Sequence, residues 1–332
     1  MNKRRKLVIA LSAGALAAPF ASIAQQQSRI FRVGILATDS LETRRPTVEI
    51  LIRTMHELGY VEGKNIVFEA RYANGDTARL SALATELAGL NLDVIVVPNG
   101  LATQAAARAT EQAKRTIPIV FAGWANPVGS GLVASLARPG GHVTGMTNIT
   151  VELTGKQLQL LKEAFPKISQ VAVFVDSTTS AAAAYWGEVE RAAKALGLQT
   201  LSLEMRGVDD MERSVASLRN WRADSMLVLN TPINQNNRRL LVQIAERTRL
   251  PAMYGNDQYS NIGGLISYGS DDKVRWQKSA TFVDKILKGA KPADLPIEQP
   301  TTFELVINLK TAKALGLSLP NSIMLQANKV IE

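Results

Sequence analysis

The chain has 332 residues, no cysteine, 38 Lys and Arg against 29 Asp and Glu, and 46 % hydrophobic residues. The absence of cysteine rules out a disulfide, a catalytic thiol and a thiolate metal site. The basic residues are spread beside acidic ones, as in Glu188-Val189-Glu190-Arg191, so the charge reads as a solvated surface and no nucleic-acid partner is expected.

Residues 1–24 have three parts: basic Lys3-Arg4-Arg5-Lys6, an apolar stretch from Leu7 to Ile23, and the small-residue end Ser22-Ile23-Ala24. This is the form of a secretory signal cleaved near Ala24, whereas Gly14, Pro19 and the following Gln25-Gln26-Gln27 disfavour a membrane anchor. An exported, periplasmic protein without a membrane span in its mature part is expected. Losing the four basic residues of the leader leaves 34 against 29, a formal charge of +5. About 308 residues remain, which suits about two domains.

Along that remainder, short apolar runs alternate with stretches of helical period, the pattern of parallel sheets covered by helices. Strands are predicted at Val33 to Leu36, Ile66 to Phe68, Val94 to Val97, Ile119 to Phe121 and Val143 to Met146. Between them, Val48, Leu51, Ile52, Met55 and Leu58 share one helical face that stops at Gly59. Leu80, Leu83, Ala84 and Leu87 share another, and Leu101 to Lys114 is an Ala-rich third. The run Val143 to Met146 leads through Thr147 and Asn148 out of the first half. A second set of strands follows at Val171 to Val175, Leu198 to Leu203, Met226 to Leu229, Ala252 to Tyr254 and Leu265 to Ser267. Its helices carry stripes at Leu158, Leu161 and Phe165, at Val189, Ala192, Ala193 and Leu196, and at Leu240, Leu241, Ile244 and Ala245. The tail then offers a long helix from Lys273 to Leu287, prolines at 292, 296 and 300, an extended Phe303 to Ile307 and a short helix around Thr311 to Leu315. The two sets of runs imply two similar α/β lobes, and the late helix and strand imply that the chain recrosses between them.

Ligands of open α/β sheets bind at the carboxyl ends of the strands. Here those positions carry Thr38-Asp39-Ser40, Pro98-Asn99-Gly100 and Trp124 to Asn126 in the first half. The second half supplies Asp176-Ser177-Thr178-Thr179, Asn230-Thr231 and Tyr254-Gly255-Asn256-Asp257. Hydroxyls, amides and helix-start N–H groups suit a small polar or zwitterionic molecule, although the same residue types also cap helices. Asp39, Asp176 and Asp257 are the candidates to receive a ligand ammonium. Among four Trp, six Tyr and eight Phe, the rings of Trp124, Tyr185, Tyr254 and Tyr259 fall in or beside these loops. Trp186, Trp221 and Trp276 fall in helical patterns and read as packing or surface residues.

Enzymatic signals are thin. His56 and His142 have no nucleophile or metal partner nearby in sequence. A Walker lysine motif, a dinucleotide-binding glycine fingerprint and a nucleophile elbow are all missing. Asp271-Asp272 reads as a helix start. No enzyme, cofactor or metal site is expected.

Several blocks resemble the ABC-transporter substrate-binding proteins of the tryptophan/tyrosine type. They are Val33-Gly34-Ile35-Leu36, Glu57 to Ile66, Asn126 to Gly141, Gly263 to Gly269, Val283 to Pro292, Glu298 to Thr301 and Phe303 to Ala312. The resemblance runs from about Arg32 to the C-terminus. It implies a type I periplasmic-binding fold, with two Rossmann-like lobes joined by three crossing segments near Thr147 to Thr150, Tyr268 to Ser270 and Pro300 to Phe303. One lobe would comprise residues 30–148 plus 270–299, and the other 149–269 plus 300–332. A small ligand, an aromatic amino acid or similar small aromatic acid, would lie in the cleft and be delivered by a monomer to a membrane permease. Trp124 and Tyr254 would wall its ring, and Thr38, Thr178 or Thr179 would hold its carboxylate, with Asn99, Gly100, Asn126, Asn148, Tyr185, Asn230 and Thr231 nearby. Where the family has Gly-Asp-Pro before Val128, this chain has Ala125-Asn126-Pro127. A periplasmic sensor, or an enzyme using the same cleft, are the other readings.

Overall fold

The computed structural model describes residues 29–332, so the expected leader lies outside the described residues. The chain forms two α/β lobes, each built on its own sheet.

The first sheet has five parallel strands in the order β2-β1-β3-β4-β5. They are β1 (Phe31–Ala37), β2 (Ile66–Tyr72), β3 (Val94–Val97), β4 (Ile119–Trp124) and β5 (Val143–Thr147). Helices α1 (Leu41–Glu57), α2 (Leu80–Gly89) and α3 (Gly100–Gln112) connect them. The inner strands β1, β3, β4 and β5 are largely apolar on both sides because both faces are covered, whereas edge strand β2 carries Glu69 and Arg71. Ile95, Val97, Ile119 and Phe121 pack with α2 and α3, while Val94, Val96, Val120 and Ala122 pack with α1.

After β5 the chain crosses to the second lobe, a seven-stranded sheet in the order β12-β11-β10-β9-β8-β6-β7. Its strands in chain order are β6 (Gln170–Asp176), β7 (Gln199–Met205), β8 (Ser225–Val228), β9 (Ala252–Tyr254), β10 (Ile266–Ser270), β11 (Phe303–Asn308) and β12 (Lys329–Ile331). The covering helices are α4 (Thr150–Ala164), α5 (Ala182–Leu196), α6 (Val208–Asn220), α7 (Pro232–Asn236), α8 (Arg238–Thr248) and α9 (Asp257–Ser260). Faces alternate again: Val171, Val173 and Val175 meet α4 and α5, whereas Ala172 and Phe174 meet the side of α6 and α8.

From β10 the chain returns to the first lobe as α10 (Asp272–Leu287), whose Trp276, Ala280, Phe282 and Val283 join the α1 side of that core. It passes over again before β11, and α11 (Leu309–Leu315) and α12 (Asn321–Met324) follow. All ten runs of the two predicted sets are strands, and the chain passes between the lobes three times. Two features differ from the expectation. The second sheet is mixed, because β11 arrives from the first lobe and runs antiparallel to β10. Helices α6, α7, α9 and α12 and edge strand β12 also stand where no element is predicted. The crossings lie side by side: Thr147 N donates to Glu298 O at 2.9 Å and Glu298 N to Gly145 O at 3.0 Å. A Cβ on Gly145, at φ +145°, would meet Phe121 O at 2.1 Å, so only glycine fits where β5 leaves β4. Among the described residues no helix is long and apolar enough to cross a membrane.

Candidate ligand-binding cleft

The carboxyl ends of both sheets face a shared cavity of about 350 Å³. Lobe one lines it with Asn99, Gly100, Leu101, Gln104 and the Gly123-Trp124-Ala125 strand end. Asn148 contributes from the first crossing, and lobe two adds Thr178 to Ala181, Tyr185 and Asn230 to Pro232. A second chamber of about 430 Å³ adjoins it through Leu101, Thr178 and Pro232 and reaches Asp39, Asp76 and Arg206.

Trp124 reaches the cavity through a break in β4. The pairing of β4 with β5 shifts between Phe121 and Trp124, so strict alternation is lost and both rings fall on the α3 side. Their centroids are 5.3 Å apart at 88°, an edge-to-face contact. The first residue of α3 must then be Gly100, since a Cβ there would sit 2.2 Å from Trp124 Nε1. The indole N–H has no partner among the described residues.

Across the cleft, Tyr185 sits on α5, 2 % exposed. Its hydroxyl is in hydrogen-bond contact with Thr150 Oγ1 and donates to Asn230 O at 3.2 Å. Burial pushes its phenol far above the ordinary tyrosine range. It stays neutral and lines the cavity as an uncharged ring.

The polar residues around the cavity are partly committed. Asn99 caps α3 by accepting from Ala102 N at 3.1 Å and donates to Thr38 Oγ1 at 3.0 Å. Thr38 is thereby buried behind Asn99 and does not line the main cavity. Thr179 Oγ1 accepts from Ala181 N, and Thr178 Oγ1 donates to Asp176 at 2.6 Å. Thr231 is 3 % exposed, and its hydroxyl has no partner among the described residues.

Three predicted carboxylates and one predicted ring are placed elsewhere. Asp39 is 2 % exposed and forms a two-pronged pair with Arg44, whose Nε lies 3.0 Å from Oδ1. Asp176 is fully buried, accepting from Thr178 N at 3.0 Å and from Ile233 N at 3.2 Å. Asp257 begins α9, accepts from Asn261 at 3.0 Å and does not line the cavity. Tyr254 does not wall the cleft: it is fully buried in the lobe-two core, stacked on Tyr259 at 4.7 Å and 17°. Asn126 also lies off the cavity, with Oδ1 accepting from Gly129 N at 2.9 Å. An aspartate there would cap the same turn, so the Ala125-Asn126-Pro127 departure bears on a turn and not on a ligand contact.

Sequence reasoning missed the buried arginine of the cleft floor. Arg275 of α10 lies under β4, donating to Ala122 O at 3.0 Å and pairing with Asp272. Desolvation, with repulsion from Arg44, lowers its pKa to about 10. Asp272 also accepts from Gln258 of lobe two at 2.5 Å, a contact across the cleft. An Asp and an Arg three apart at the start of a helix was the available signal.

Two open α/β sheets whose carboxyl edges close on one cavity, with the chain crossing between them three times, define a two-lobe small-molecule binding protein of the periplasmic-binding type. The model of the ABC transporter substrate binding protein family matches residues 32–331, and the chain belongs to that family. As a substrate-binding protein of an ABC transporter it works outside the cytoplasm. It is 23 % identical to a tyrosine-binding protein of Clostridioides difficile (strain R20291) over 267 residues, covering 80 % of this chain and 75 % of that one. Its fold matches a conserved domain protein from Vibrio cholerae with a TM-score of 0.84 at 24 % identity, covering 91 % of this chain and 100 % of that one. It also matches an ABC domain from Streptococcus pneumonia in complex with L-Trp, with a TM-score of 0.83 at 23 % identity over 91 % and 100 % of the two chains.

Proposed function

We propose that this protein is the receptor of an ABC importer that captures an aromatic amino acid or a similar small aromatic acid and delivers it to a membrane permease. It acts as a periplasmic monomer after a leader is cut near Ala24. Its hinged bodies are residues 30–148 plus 270–299 and residues 149–269 plus 300–332. Binding in the cleft involves no bond chemistry; ligand favours the closed arrangement of the lobes, and that arrangement is the one the permease meets.

The observation that carries this reading is the pair of rings, Trp124 from one lobe and Tyr185 from the other, on a single cavity of about 350 Å³. That volume is at the small end of ligand pockets, about 300–1,000 Å³. The tyrosine-binding relative and the L-Trp complex support the aromatic class.

The test is a thermal-shift screen of the purified protein against amino acids, aromatic carboxylates, purines and sugars. A ligand at a hundredfold its Kd stabilises the folded state by about 2.7 kcal/mol. That corresponds to about 4 °C for a protein of this size. A shift confined to sugars or purines would refute the aromatic class and keep the receptor.

A further inference from the structure

The chemistry of the main cavity is one-sided. Among its described lining residues none carries a charge: amides, hydroxyls, glycines, apolar side chains and the two rings make up the wall. Each nearby carboxylate has a protein partner. Asp39 is paired with Arg44, Asp272 with Arg275 and Gln258, and Asp176 accepts from Thr178 and Ile233. Asp257 lies off the cavity and accepts from Asn261.

The unused hydrogen-bonding capacity is mostly donor. The single proton of Thr150 Oγ1 is shared between the Tyr185 hydroxyl and Asn148 Oδ1, 3.2 Å away, and Asn230 Oδ1 accepts from Asn256 at 3.3 Å; the NH₂ groups of Asn148 and Asn230 have no partner among the described residues. The Trp124 indole N–H is a third free donor. Asn99 Oδ1 takes the amide of Ala102, while the amides of Gly100 and Leu101 on the cavity wall have no acceptor among the described residues. The buried, unpartnered hydroxyl of Thr231 lines the same wall.

Such a lining satisfies an acceptor, such as a carboxylate, without supplying a countercharge for an ammonium. Building on the aromatic-acid reading above, we infer that the preferred ligand is an aromatic monocarboxylate without an α-amino group. The free groups of the lining are mostly donors, with the Gln104 amide oxygen and the Ser180 and Thr231 hydroxyls as its only free neutral side-chain acceptors among the described residues, so the zwitterion of an aromatic amino acid would bring a cation to a site with no negative charge to meet it, which is disfavoured. The carboxylate lies against the donors of Asn148, Asn230 and the start of α3, and the ring lies between Trp124 and Tyr185.

The experiment is calorimetric titration of the purified protein with two matched pairs at neutral pH: indole-3-propionate against L-tryptophan, and 3-(4-hydroxyphenyl)propanoate against L-tyrosine. The expected result is that at least one desamino acid binds about tenfold or more tightly than its amino acid. Equal or tighter binding of the amino acids overturns the inference and leaves the aromatic-acid reading standing. Binding of neither pair overturns both. Asn148→Asp provides an independent check, because Asp retains the acceptor for Thr150 and replaces the free NH₂ with a charged oxygen. Its ratio of affinities is expected to move about tenfold toward the amino acid, and an unchanged ratio counts against the proposed placement of the carboxylate.

Discussion

Gly100→Ala is the sharpest probe of the cleft, because one methyl group acts directly on the ring. A Cβ at residue 100 would lie 2.2 Å from Trp124 Nε1 and 2.6 Å from Cδ1, so either the indole or the start of α3 must move. Phe121 holds the indole on the core side, edge to face at 5.3 Å, and the open space is on the cavity side. The methyl therefore drives the ring into the space a ligand would fill. Overpacking of this kind costs about 1–3 kcal/mol. Replacing Gly by Ala within a helix returns about 0.5–1 kcal/mol, for a net loss of about 0–2.5 kcal/mol in stability. A displaced ring contact costs a ligand on the order of 2 kcal/mol, more than tenfold in Kd. Calorimetric titration with the ligand found by the screen, beside thermal unfolding of the free protein, separates the two effects. Wild-type affinity with an unchanged or raised Tm would refute the reasoning, since the helix start would then have yielded and the indole would not be held by Gly100.

Asp176→Asn puts an NH₂ group where the carboxylate now accepts from Thr178 N, Thr178 Oγ1 and Ile233 N. Leaving one of those buried donors unmatched costs about 1–3 kcal/mol, seen as a lower Tm in thermal unfolding, whereas an unchanged Tm would mean that the loop repacks freely. Stability should also fall at high pH. Burial, with the hydrogen bond and charge of Asp284 adding to it, raises the Tyr60 phenol to about 12, and burial pushes Tyr254 and Tyr259 up as well. Between about 10 and about 12 the folded protein keeps a proton that the unfolded chain releases, so this stability is complete below about 10 and is lost as pH rises through about 12. Tm measured across that window should decline, and Tyr60→Phe should make the decline shallower; a parallel decline in the variant would exclude Tyr60 as a contributor.

The inner strands were legible because each is a run rich in β-branched and other apolar residues, bounded by turns or helix caps and buried on both faces, whereas the short, exposed edge strand β12 was not. Helix α6 was not, because its buried stripe is only Met211, Ser214 and Leu218 among charged residues. The positions at the strand ends were readable, but the direction of each side chain was not. Trp124 and Tyr254 both end strands, yet a register shift keeps Trp124 on the cavity side, while Tyr254 turns into the lobe core against Tyr259. Acidic residues at strand ends were read as ammonium acceptors on residue type alone. Their partners are set by folding: Asp176 meets Ile233, 57 positions away, and Arg275 enters the cleft floor from a helix that belongs to the recrossing tail.

The same commitments bear on how the lobes close. Polar side-chain contacts between the lobes among the described residues include Gln258 with Asp272, and Arg239 with Glu42 at 3.3 Å. The second pair is highly exposed and contributes about 0–1 kcal/mol. Moving a two-state protein from nearly all open to nearly all closed takes about 5.5 kcal/mol of differential affinity. Contacts of this kind are too weak to hold the cleft shut alone, while leaving the cavity's free donors buried without acceptors opposes closure. A ligand that touches Trp124 and Tyr185 and accepts from Asn148 and Asn230 removes that opposition and bridges the lobes at once. The unfilled hydrogen bonds that restrict the ligand's chemistry are thus the same ones that make closure depend on it.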